Sequence, residues 1–317
     1  MTDEAVVEAA ALSYTYGRRS ALDGVSFTVQ RGEIFGLLGP NGSGKTTLFR
    51  ILSTLLVPGN GTARILRQDI SRHPAAVRAV IGVVFQSPSL DRKLTVEENL
   101  LHQGHLYGLQ GSGLRARIRE LLDRFGLADR ARERVERLSG GLRRRLELAK
   151  GLLHRPPLLL LDEPSSALDP AARREFWSDL ESLRASGGTT ILLTTHLMEE
   201  ADRCDRIAIL NRGRVVTLGA PAALKEAIGG DVIRLESSDP ERLCRQIQQR
   251  FGGNPVLLNG AVRVERPRGH EFIAQVVEAF PGEIQSVALS KPTLEDVFFH
   301  QTGQRFVDDS RTEQPFG

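Results

Sequence analysis

The sequence predicts an α/β fold whose sheet is interrupted by a helical insertion. Three short apolar runs, at residues 34–38, 158–161 and 189–195 (the last with an apolar centre flanked by threonines), are typical of strands buried on both faces of a parallel sheet. Between the first two runs, residues 88–155 are rich in helix-forming sequence. These observations favour a mixed α/β core with a helical subdomain at about residues 88–155.

The chain has 317 residues, enough for about two domains. We predict a first domain at residues 1–228 and a small α+β accessory domain at 229–317. Within the second domain, the order strand–helix–strand–strand–helix–strand over residues 232–289 suggests a ferredoxin-like unit. A closing helix is expected at 292–303, and the tail after Phe306 is expected to be disordered.

The composition is that of a globular protein, with 40% hydrophobic and 26% charged residues. The net charge of +3 is small and does not favour nucleic acid as a partner. No apolar run approaches the roughly 18 residues of a membrane span, and the first residues do not resemble a signal peptide. Cys204 and Cys244 lack metal-ligand spacing, so we expect two reduced thiols in a cytosolic protein.

Local patterns predict several elements of the first domain. Residues 21–29 alternate as a strand does, and residues 58–86 are expected to form a turn followed by short strands. The run Thr95-Val96-Glu97-Glu98 fits a capping box, which begins a helix. Residues 113–126 predict an amphipathic helix. Its apolar face consists of Leu114, Ile118, Leu121, Leu122 and Phe125.

The first buried strand leads into a glycine-rich motif. The motif reads Gly39-Pro40-Asn41-Gly42-Ser43-Gly44-Lys45-Thr46, which fits the P-loop pattern, and a helix is expected to follow from Thr47. The glycines let backbone N–H groups surround phosphate oxygens, and the start of the helix adds positive potential. A glycine-rich turn that ends in Lys-Thr by chance is the alternative, but the flanking strand and helix disfavour it.

The P-loop assigns a chemical role to each of its polar residues. We expect the residues from Gly39 to Thr47 to bind the phosphates of ATP, with Lys45 reaching the β- and γ-phosphates. The hydroxyl of Thr46 is expected to bind Mg²⁺.

A second acidic motif follows the apolar run at residues 158–161. Asp162 and Glu163 stand where a Walker B element ends, at the sheet edge where the P-loop also opens. Asp162 is expected to hold the Mg²⁺ shell, and Glu163 to accept a proton from the attacking water. The alternative is that the two acids merely end a buried strand, and the presence of the P-loop disfavours it.

A third motif, Leu138-Ser139-Gly140-Gly141, precedes a helical run, and Ser139 is a candidate N-cap. Together with the P-loop and the Walker B element, it resembles the nucleotide-binding subunit of an ABC transporter. The resemblance covers about residues 5–225 and implies the P-loop NTPase fold of an ABC cassette. It further implies a Q-loop at Gln86, which would act in catalysis and at the metal, and a D-loop at Ser166-Ala167-Leu168-Asp169.

The resemblance also implies a switch histidine at His196 and an adenine-stacking aromatic at Tyr16. Tyr14, two residues away, could take the role of Tyr16, and either could belong to the core. Leu142 stands where the family often has Gln, and Ser165-Ser166-Ala167 also departs from its usual pattern. None of these departures removes a catalytic group, so Glu163, His196, Lys45 and Gln86 remain the expected catalytic residues.

The family mechanism implies a head-to-tail homodimer that encloses two ATP molecules. In it, the P-loop of one subunit and the Ser139-Gly140-Gly141 loop of the other contact each γ-phosphate. Loss of that phosphate would weaken the closed state.

Further segments resemble bacterial exporters of the daunorubicin-resistance type, namely residues 94–100, 106–109, 141–150 and 292–298. This branch implies a separate membrane permease, docked through the helical insertion and Gln86, with this chain peripheral at the cytoplasmic face of a bacterial membrane. Two alternatives are a soluble ABC-type ATPase acting on ribosomes or nucleic acid, and a regulatory module with little turnover. Ribosome-acting members usually carry two cassettes, and the presence of Glu163 and His196 disfavours the regulatory module.

Overall fold

The computed structural model describes residues 5–258 and 260–306 of the chain. The described residues form two compact units, 5–218 and 219–306. The domain boundary expected after residue 228 stays a prediction. The expected disorder after Phe306 concerns residues that lie outside those described.

The first unit combines strands with α-helices. Its strands are β1 (Ala5–Tyr16), β2 (Arg19–Gln30), β3 (Ile34–Leu38), β4 (Asn60–Ile65), β5 (Gln68–Asp69), β6 (Ile81–Val84), β7 (Leu158–Asp162), β8 (Thr190–Thr195), β9 (Arg206–Asn211) and β10 (Arg214–Gly219). Its helices are α1 (Lys45–Leu52), α2 (Pro74–Val80), α3 (Val96–Leu106), α4 (Gly111–Arg124), α5 (Gly140–Leu152), α6 (Pro170–Gly187) and α7 (Met198–Ala201).

A six-stranded sheet in the order β10-β9-β3-β8-β7-β6 forms the centre of this unit. Strands β3, β7 and β8 are the three apolar runs, and each is buried along its whole length. They pair in parallel with one another and with β6 and β9. Each fully buried leucine in them contributes about 1.5–3 kcal/mol relative to an exposed one. The predicted α/β core is therefore confirmed.

Parallel pairing brings the ends of these strands to one edge of the sheet. Leu38 pairs with Thr195, and Asp162 pairs with Thr194. The P-loop after β3, Glu163 after β7 and His196 after β8 therefore all leave the sheet at the same edge, which is where open α/β sheets bind ligands.

A second sheet of the first unit is antiparallel, in the order β2-β1-β4-β5. Its inner residues share one apolar core with the central sheet. Phe27 of β2 stacks on Phe35 of β3 with 5.4 Å between ring centroids. The predicted strand at residues 21–29 lies within β2.

The helical insertion consists mainly of α3, α4 and α5. Thr95 and Glu98 form the predicted capping box, because each side chain accepts from the other residue's backbone N–H. The five apolar residues predicted to line one face of the helix at 113–126 are all buried.

Helix α2 corrects the sequence analysis. Residues 58–86 were expected to form a turn and short strands, but Pro74–Val80 is helical. Pro74 occupies the first turn, where proline is tolerated because the N–H it lacks has no helical partner there. Val77 is the one buried residue of this helix, so its hydrophobic periodicity is weak.

The β9–β10 turn supports the P-loop. Arg212 and Gly213 both have positive φ, as a two-residue hairpin turn requires. Gly213 donates its N–H to the carbonyl of Ser43 at 2.9 Å and accepts from the N–H of Asp23 at 2.9 Å. A Cβ at Gly213 would lie 2.8 Å from the carbonyl oxygen of Ala21, so a larger residue does not fit.

The second unit contains a four-stranded antiparallel sheet in the order β12-β13-β11-β14. Its elements are α8 (Pro221–Glu226), β11 (Asp231–Ser237), α9 (Pro240–Phe251), β12 (Val256–Leu258), β13 (Ala261–Arg266), α10 (Gly269–Ala279), β14 (Ile284–Ser290) and α11 (Leu294–Thr302). Helices α9 and α10 cover one apolar core with the sheet. The predicted order of elements is observed, while the ferredoxin-like assignment stays a prediction; Asn259 of the predicted hairpin turn lies outside the described residues.

Two further findings concern the described part of the chain. None of its helices has both the length and the apolar character needed to cross a membrane. Cys204 and Cys244 are both free thiols, and burial raises the pKa of each.

Candidate functional site

A cavity of about 360 Å³ opens at the P-loop. It is lined by Tyr16, Arg19, Ala21, Asn41, Gly42, Gly44, Lys45, Thr46, Thr47, Arg50 and Glu163. Eight of these residues were predicted from the sequence to act at a nucleotide site. The structure therefore brings most of the predicted P-loop residues and Glu163 to one cavity.

Glycines shape the wall of this cavity. Gly42 and Gly44 have positive φ, of 76° and 108°, which other residues adopt only with strain. Gly44 directly precedes Lys45, the first residue of α1. The backbone N–H groups at the start of this helix have no carbonyl partner within it, which suits them to bind phosphate oxygens.

Lys45 is buried, with 4% of its surface exposed. Its ammonium group donates to the carbonyls of Gly39 at 2.7 Å and Pro40 at 3.1 Å. Its Nζ also lies 3.6 Å from Oε1 of Glu163. The first two residues of the motif thus orient the lysine.

The acidic pair after β7 is held by Thr194 of β8. The Thr194 hydroxyl donates to Oδ1 of Asp162 at 2.6 Å and accepts from the N–H of Glu163 at 2.9 Å. Asp162 is 5% exposed, and burial raises its pKa although the Thr194 hydrogen bond opposes that shift. Glu163 has a positive φ of 42°, an unusual conformation for a non-glycine residue.

Three polar side chains surround the carboxylate of Glu163. Besides Lys45, His196 lies with its Nδ1 3.2 Å from Oε2, and Gln86 donates its Nε2 hydrogen to Oε2 at 3.4 Å. Burial raises the pKa of Glu163, but contact with His196 and the charge of Lys45 outweigh it and hold the pKa below its usual value. The carboxylate is therefore ionised near neutral pH, as a proton acceptor must be.

The two candidate aromatic residues differ in their surroundings. Tyr16 is 43% exposed and lines the cavity. Tyr14 packs against the apolar core and meets the ring of Tyr16 edge-on, with centroids 4.8 Å apart. These positions favour Tyr16 as the residue available for stacking, although its contact with adenine stays a prediction.

The Ser139 loop is organised differently from the P-loop. Ser139 is the N-cap of α5, and its Oγ accepts from the N–H of Leu142 at 3.3 Å, so the predicted cap is confirmed. Ser139 and Gly140 are exposed. None of the three residues Ser139, Gly140 and Gly141 lines the P-loop cavity described above.

The predicted D-loop leads from the acidic pair to α6. Ser166 donates its hydroxyl to the carbonyl of Glu163 at 3.1 Å. Asp169 is the N-cap of α6 and accepts from Ala171 and Ala172, each at 3.0 Å.

Sequence reasoning missed several residues at the cavity. Arg19, Ala21 and Arg50 line it, and Thr194 holds the acidic pair. Arg50 could have been predicted from the sequence, because it lies one helical turn after Thr46. Arg19 carries no motif, and its position depends on the turn between β1 and β2.

The donor set suits a hard divalent cation. Thr46, Asp162 and Gln86 offer oxygen ligands, which Mg²⁺ prefers, usually together with substrate phosphates. Within the described residues, no cluster of three or more His, Cys, Asp or Glu side chains could hold a metal by itself. The residues therefore fit a cation shared with a bound phosphate.

Comparison with known proteins agrees with this geometry. The family model described as ABC transporter matches residues 22–166. The chain is 42% identical to the daunorubicin resistance ATP-binding protein DrrA3 of Streptomyces coeruleorubidus, over 94% of this chain and 95% of the relative. It is 41% identical to the Nod factor export ATP-binding protein I of Paraburkholderia xenovorans, over 96% and 99% respectively.

A solved structure is similar as well. It is a dimeric ATP-binding cassette bound to ADP and phosphate in a post-hydrolysis state. The match covers 68% of this chain and 98% of that one, with 30% identity and a TM-score of 0.61.

Proposed function

Because the chain belongs to the ABC transporter family as an ATP-hydrolysing cassette, we propose that it powers a multidrug or antibiotic-type exporter. Relatives similar over most of their length carry names of drug-resistance or Nod-factor export proteins. The observation that carries the proposal is the Glu163 carboxylate, which meets Lys45, His196 and Gln86 beside the P-loop cavity.

In this proposal, the P-loop binds the triphosphate. Backbone N–H groups between residues 41 and 47 surround the β- and γ-phosphates, and Lys45 moves its ammonium group onto their oxygens. Tyr16 stacks on adenine. Because Nζ of Lys45 lies close to the Glu163 carboxylate, its ammonium group can interact with both that carboxylate and the phosphate.

Glu163 acts as the general base. Its carboxylate accepts a proton from water, whose oxygen bonds to the γ-phosphorus while the bond to the bridging oxygen of ADP breaks. The products are ADP and inorganic phosphate. His196 and Gln86 lie on Oε2 of the same carboxylate, from which they orient the water and the γ-phosphate.

Thr46, Asp162 and Gln86 would hold Mg²⁺. When bound, the ion neutralises phosphate charge. The chain's own contribution is to keep the Asp162 carboxylate in place, which the hydroxyl of Thr194 does.

The active assembly in this proposal is a head-to-tail homodimer. The Ser139-Gly140-Gly141 loop, in which Ser139 and Gly140 are exposed, reaches the γ-phosphate held by the P-loop of the partner subunit. Support comes from the exposure of this loop, from its position outside the chain's own P-loop cavity, and from the similar dimeric cassette.

A separate membrane permease would be the second partner, with this chain peripheral at the cytoplasmic face of the membrane. A groove of about 290 Å³ near the Q-loop supports this docking. Its lining includes Leu55, which is 58% exposed, together with Phe85, Tyr107 and Lys150. Action on ribosomes or nucleic acid is not favoured, because the relatives named above are named for daunorubicin resistance and for Nod factor export.

The proposal is tested with the full-length chain and its Glu163→Gln variant. We expect wild type to hydrolyse ATP, and the variant to lose about 100-fold or more in kcat because the proton acceptor is gone. ATP affinity should stay within about threefold, and the variant should form an ATP-dependent dimer detectable by light scattering. Glu199→Gln, at an exposed carboxylate near His196, is the matched control and should behave as wild type.

Two results would contradict the proposal. Equal turnover by wild type and Glu163→Gln would remove Glu163 from its role as base. Recovery of the chain from cells with ribosomes and never with membranes would contradict the exporter function.

A further inference from the structure

Arg144 is a buried arginine of α5, with 8% of its surface exposed. Its Nε donates to the carbonyl of Pro164 at 2.6 Å, its Nη1 to the carbonyl of Phe85 at 2.7 Å, and its Nη2 to the carbonyl of Asp162 at 3.4 Å. A single guanidinium group therefore joins α5 to two separate backbone segments.

Glu147, one turn along α5, completes this arrangement. It is 3% exposed and accepts from Nη1 of Arg144 at 3.2 Å. Its Oε1 accepts from the N–H of Ser89 at 2.5 Å. The ion pair is therefore buried, and both of its members also hold backbone.

The backbone groups bonded to Arg144 and Glu147 flank, in the sequence, the two polar residues that meet at the candidate site. Phe85 and Ser89 stand on either side of Gln86, while Asp162 and Pro164 stand on either side of Glu163. The Arg144–Glu147 pair thus sets where both Gln86 and Glu163 leave their strands, without touching either side chain in the bonds described.

We propose that the Arg144–Glu147 pair is a positioning unit that fixes Gln86 relative to Glu163 and couples both to α5. The proposal rests on the proposed roles of Gln86 and Glu163 in hydrolysis. Helix α5 begins at the Ser139 loop, so a shift of this helix on dimer closure is carried through Arg144 to both segments. Neither Arg144 nor Glu147 was selected from the sequence.

Charge is the reason that the two residues act together. Arginine stays protonated in proteins, and a buried charge without its partner is strongly unfavourable. Replacing both members by neutral residues removes that penalty but also removes the fork of donors that reaches three carbonyls. The double variant therefore separates a stabilising role from a positioning role.

The experiment compares Arg144→Gln, Glu147→Ala and the neutral pair Arg144→Gln/Glu147→Gln in the full-length chain. Arg117→Gln is a matched control. Arg117 also pairs with a glutamate three residues on and donates to two carbonyls, those of Leu152 and Leu153, but these lie away from the candidate site. Steady-state ATPase rates, Tm and hydrogen exchange of the Ser89 amide are measured for each.

We expect kcat to fall about 10- to 100-fold in all three variants, with KM for ATP within about threefold, since the catalytic groups are misplaced and not removed. The Ser89 amide should exchange faster in Arg144→Gln and Glu147→Ala. The neutral pair should recover Tm but not kcat. Arg117→Gln should keep kcat and leave Ser89 exchange unchanged.

Recovery of kcat together with Tm in the neutral pair would overturn the proposal, as would unchanged Ser89 exchange in both single variants. Failure of the neutral pair to fold would also overturn it, since a general stabilising role would then be sufficient. Hydrogen exchange does not depend on turnover. If wild type hydrolyses no ATP, the proposed function fails while the exchange measurement still decides the positional claim.

Discussion

Lys45 and Ser139 are both proposed to contact a γ-phosphate, yet their surroundings differ. Lys45 is 4% exposed, and its ammonium group is held by two carbonyls of its own loop and lies near Glu163. Ser139 is exposed, and the hydrogen bond described for its side chain is the cap of α5. The part of the site formed by the P-loop, which we call the P-loop half, is thus assembled within one chain. The part formed by Ser139, Gly140 and Gly141, the Ser139 half, lies at the exposed start of α5.

In our proposal, binding and turnover therefore depend on different parts of the molecule. A single chain has the groups to bind ATP through its P-loop half. Turnover in our proposal needs the Ser139 half of a second chain. The predictions below test that division, beginning with the largest expected effect.

The largest effect is expected for Lys45→Ala. The substitution removes the cation beside Glu163 and the hydrogen bonds that Lys45 donates to the carbonyls of Gly39 and Pro40. We expect kcat/KM to fall about 100-fold or more, with ATP binding also lost. ATPase assays and titration with a fluorescent ATP analogue measure the two losses, and retained binding would contradict the role of Lys45 in binding ATP.

Gly140→Asp should remove turnover while it spares binding. A Cβ at Gly140 meets nothing within 4 Å, so the variant should fold, and its carboxylate would repel a phosphate. We expect about 100-fold lower kcat and nearly unchanged ATP affinity of the single chain. Gly113→Asp, in the first turn of α4 with equally open space, is the control and should be active.

Mixing the two inactive chains tests whether each site is shared between two chains. A mixed head-to-tail dimer of Lys45→Ala and Gly140→Asp contains one site with both lesions and one intact site. Equal mixing should therefore recover roughly a quarter of the wild-type rate if dimers form at random. No recovery at any ratio would contradict a site shared between chains.

A smaller effect is expected for Tyr16→Ala. Loss of stacking on adenine should weaken ATP binding about 5-fold, the lower end of the roughly 1–3 kcal/mol that a stacked base contributes. Tm should not change because Tyr16 is 43% exposed. Tyr14→Ala should instead lower Tm, because Tyr14 packs against the core; weaker binding in Tyr14→Ala alone would reverse the assignment.

The smallest effect concerns pH. The pKa of Glu163 is lowered in the folded chain, so its ionised form contributes stability that is present above the unfolded-state pKa near 4.5 and is lost as pH falls below it. Glu163→Gln lacks this contribution. The difference in Tm between wild type and Glu163→Gln should therefore change between about pH 5 and pH 3. A difference that is constant throughout would show that Lys45 and His196 do not act on this carboxylate.

The strongest local signals predicted most of the first unit. Apolar runs such as 158–161 have few alternatives to a buried strand, and the Thr95–Glu98 capping box fixes a helix start by itself. The helix at Pro74–Val80 was missed because one buried residue gives no periodicity. Patterns of this kind depend on local chemistry, which the sequence displays directly.

The missed parts of the candidate site depend on contacts between distant segments. Arg144 donates to carbonyls of Phe85, Asp162 and Pro164, and every residue carries a carbonyl, so no side-chain pattern reveals these bonds. Glu163 has a positive φ and donates its N–H to the Thr194 hydroxyl across the sheet, and no side-chain pattern reveals either feature. Motifs identify chemical groups, whereas their exact orientation is determined by the tertiary structure.

Gly213 shows how a substitution can disturb the P-loop from a position that belongs to no recognisable motif. Its N–H holds the carbonyl of Ser43, and the carbonyl of Ala21 leaves no room for even a methyl group. A natural variant with Gly213→Ala would retain every sequence motif by which the nucleotide site is recognised. Its phosphate loop would nevertheless be displaced, so surveys that rank natural isolates by motif integrity would misclassify it.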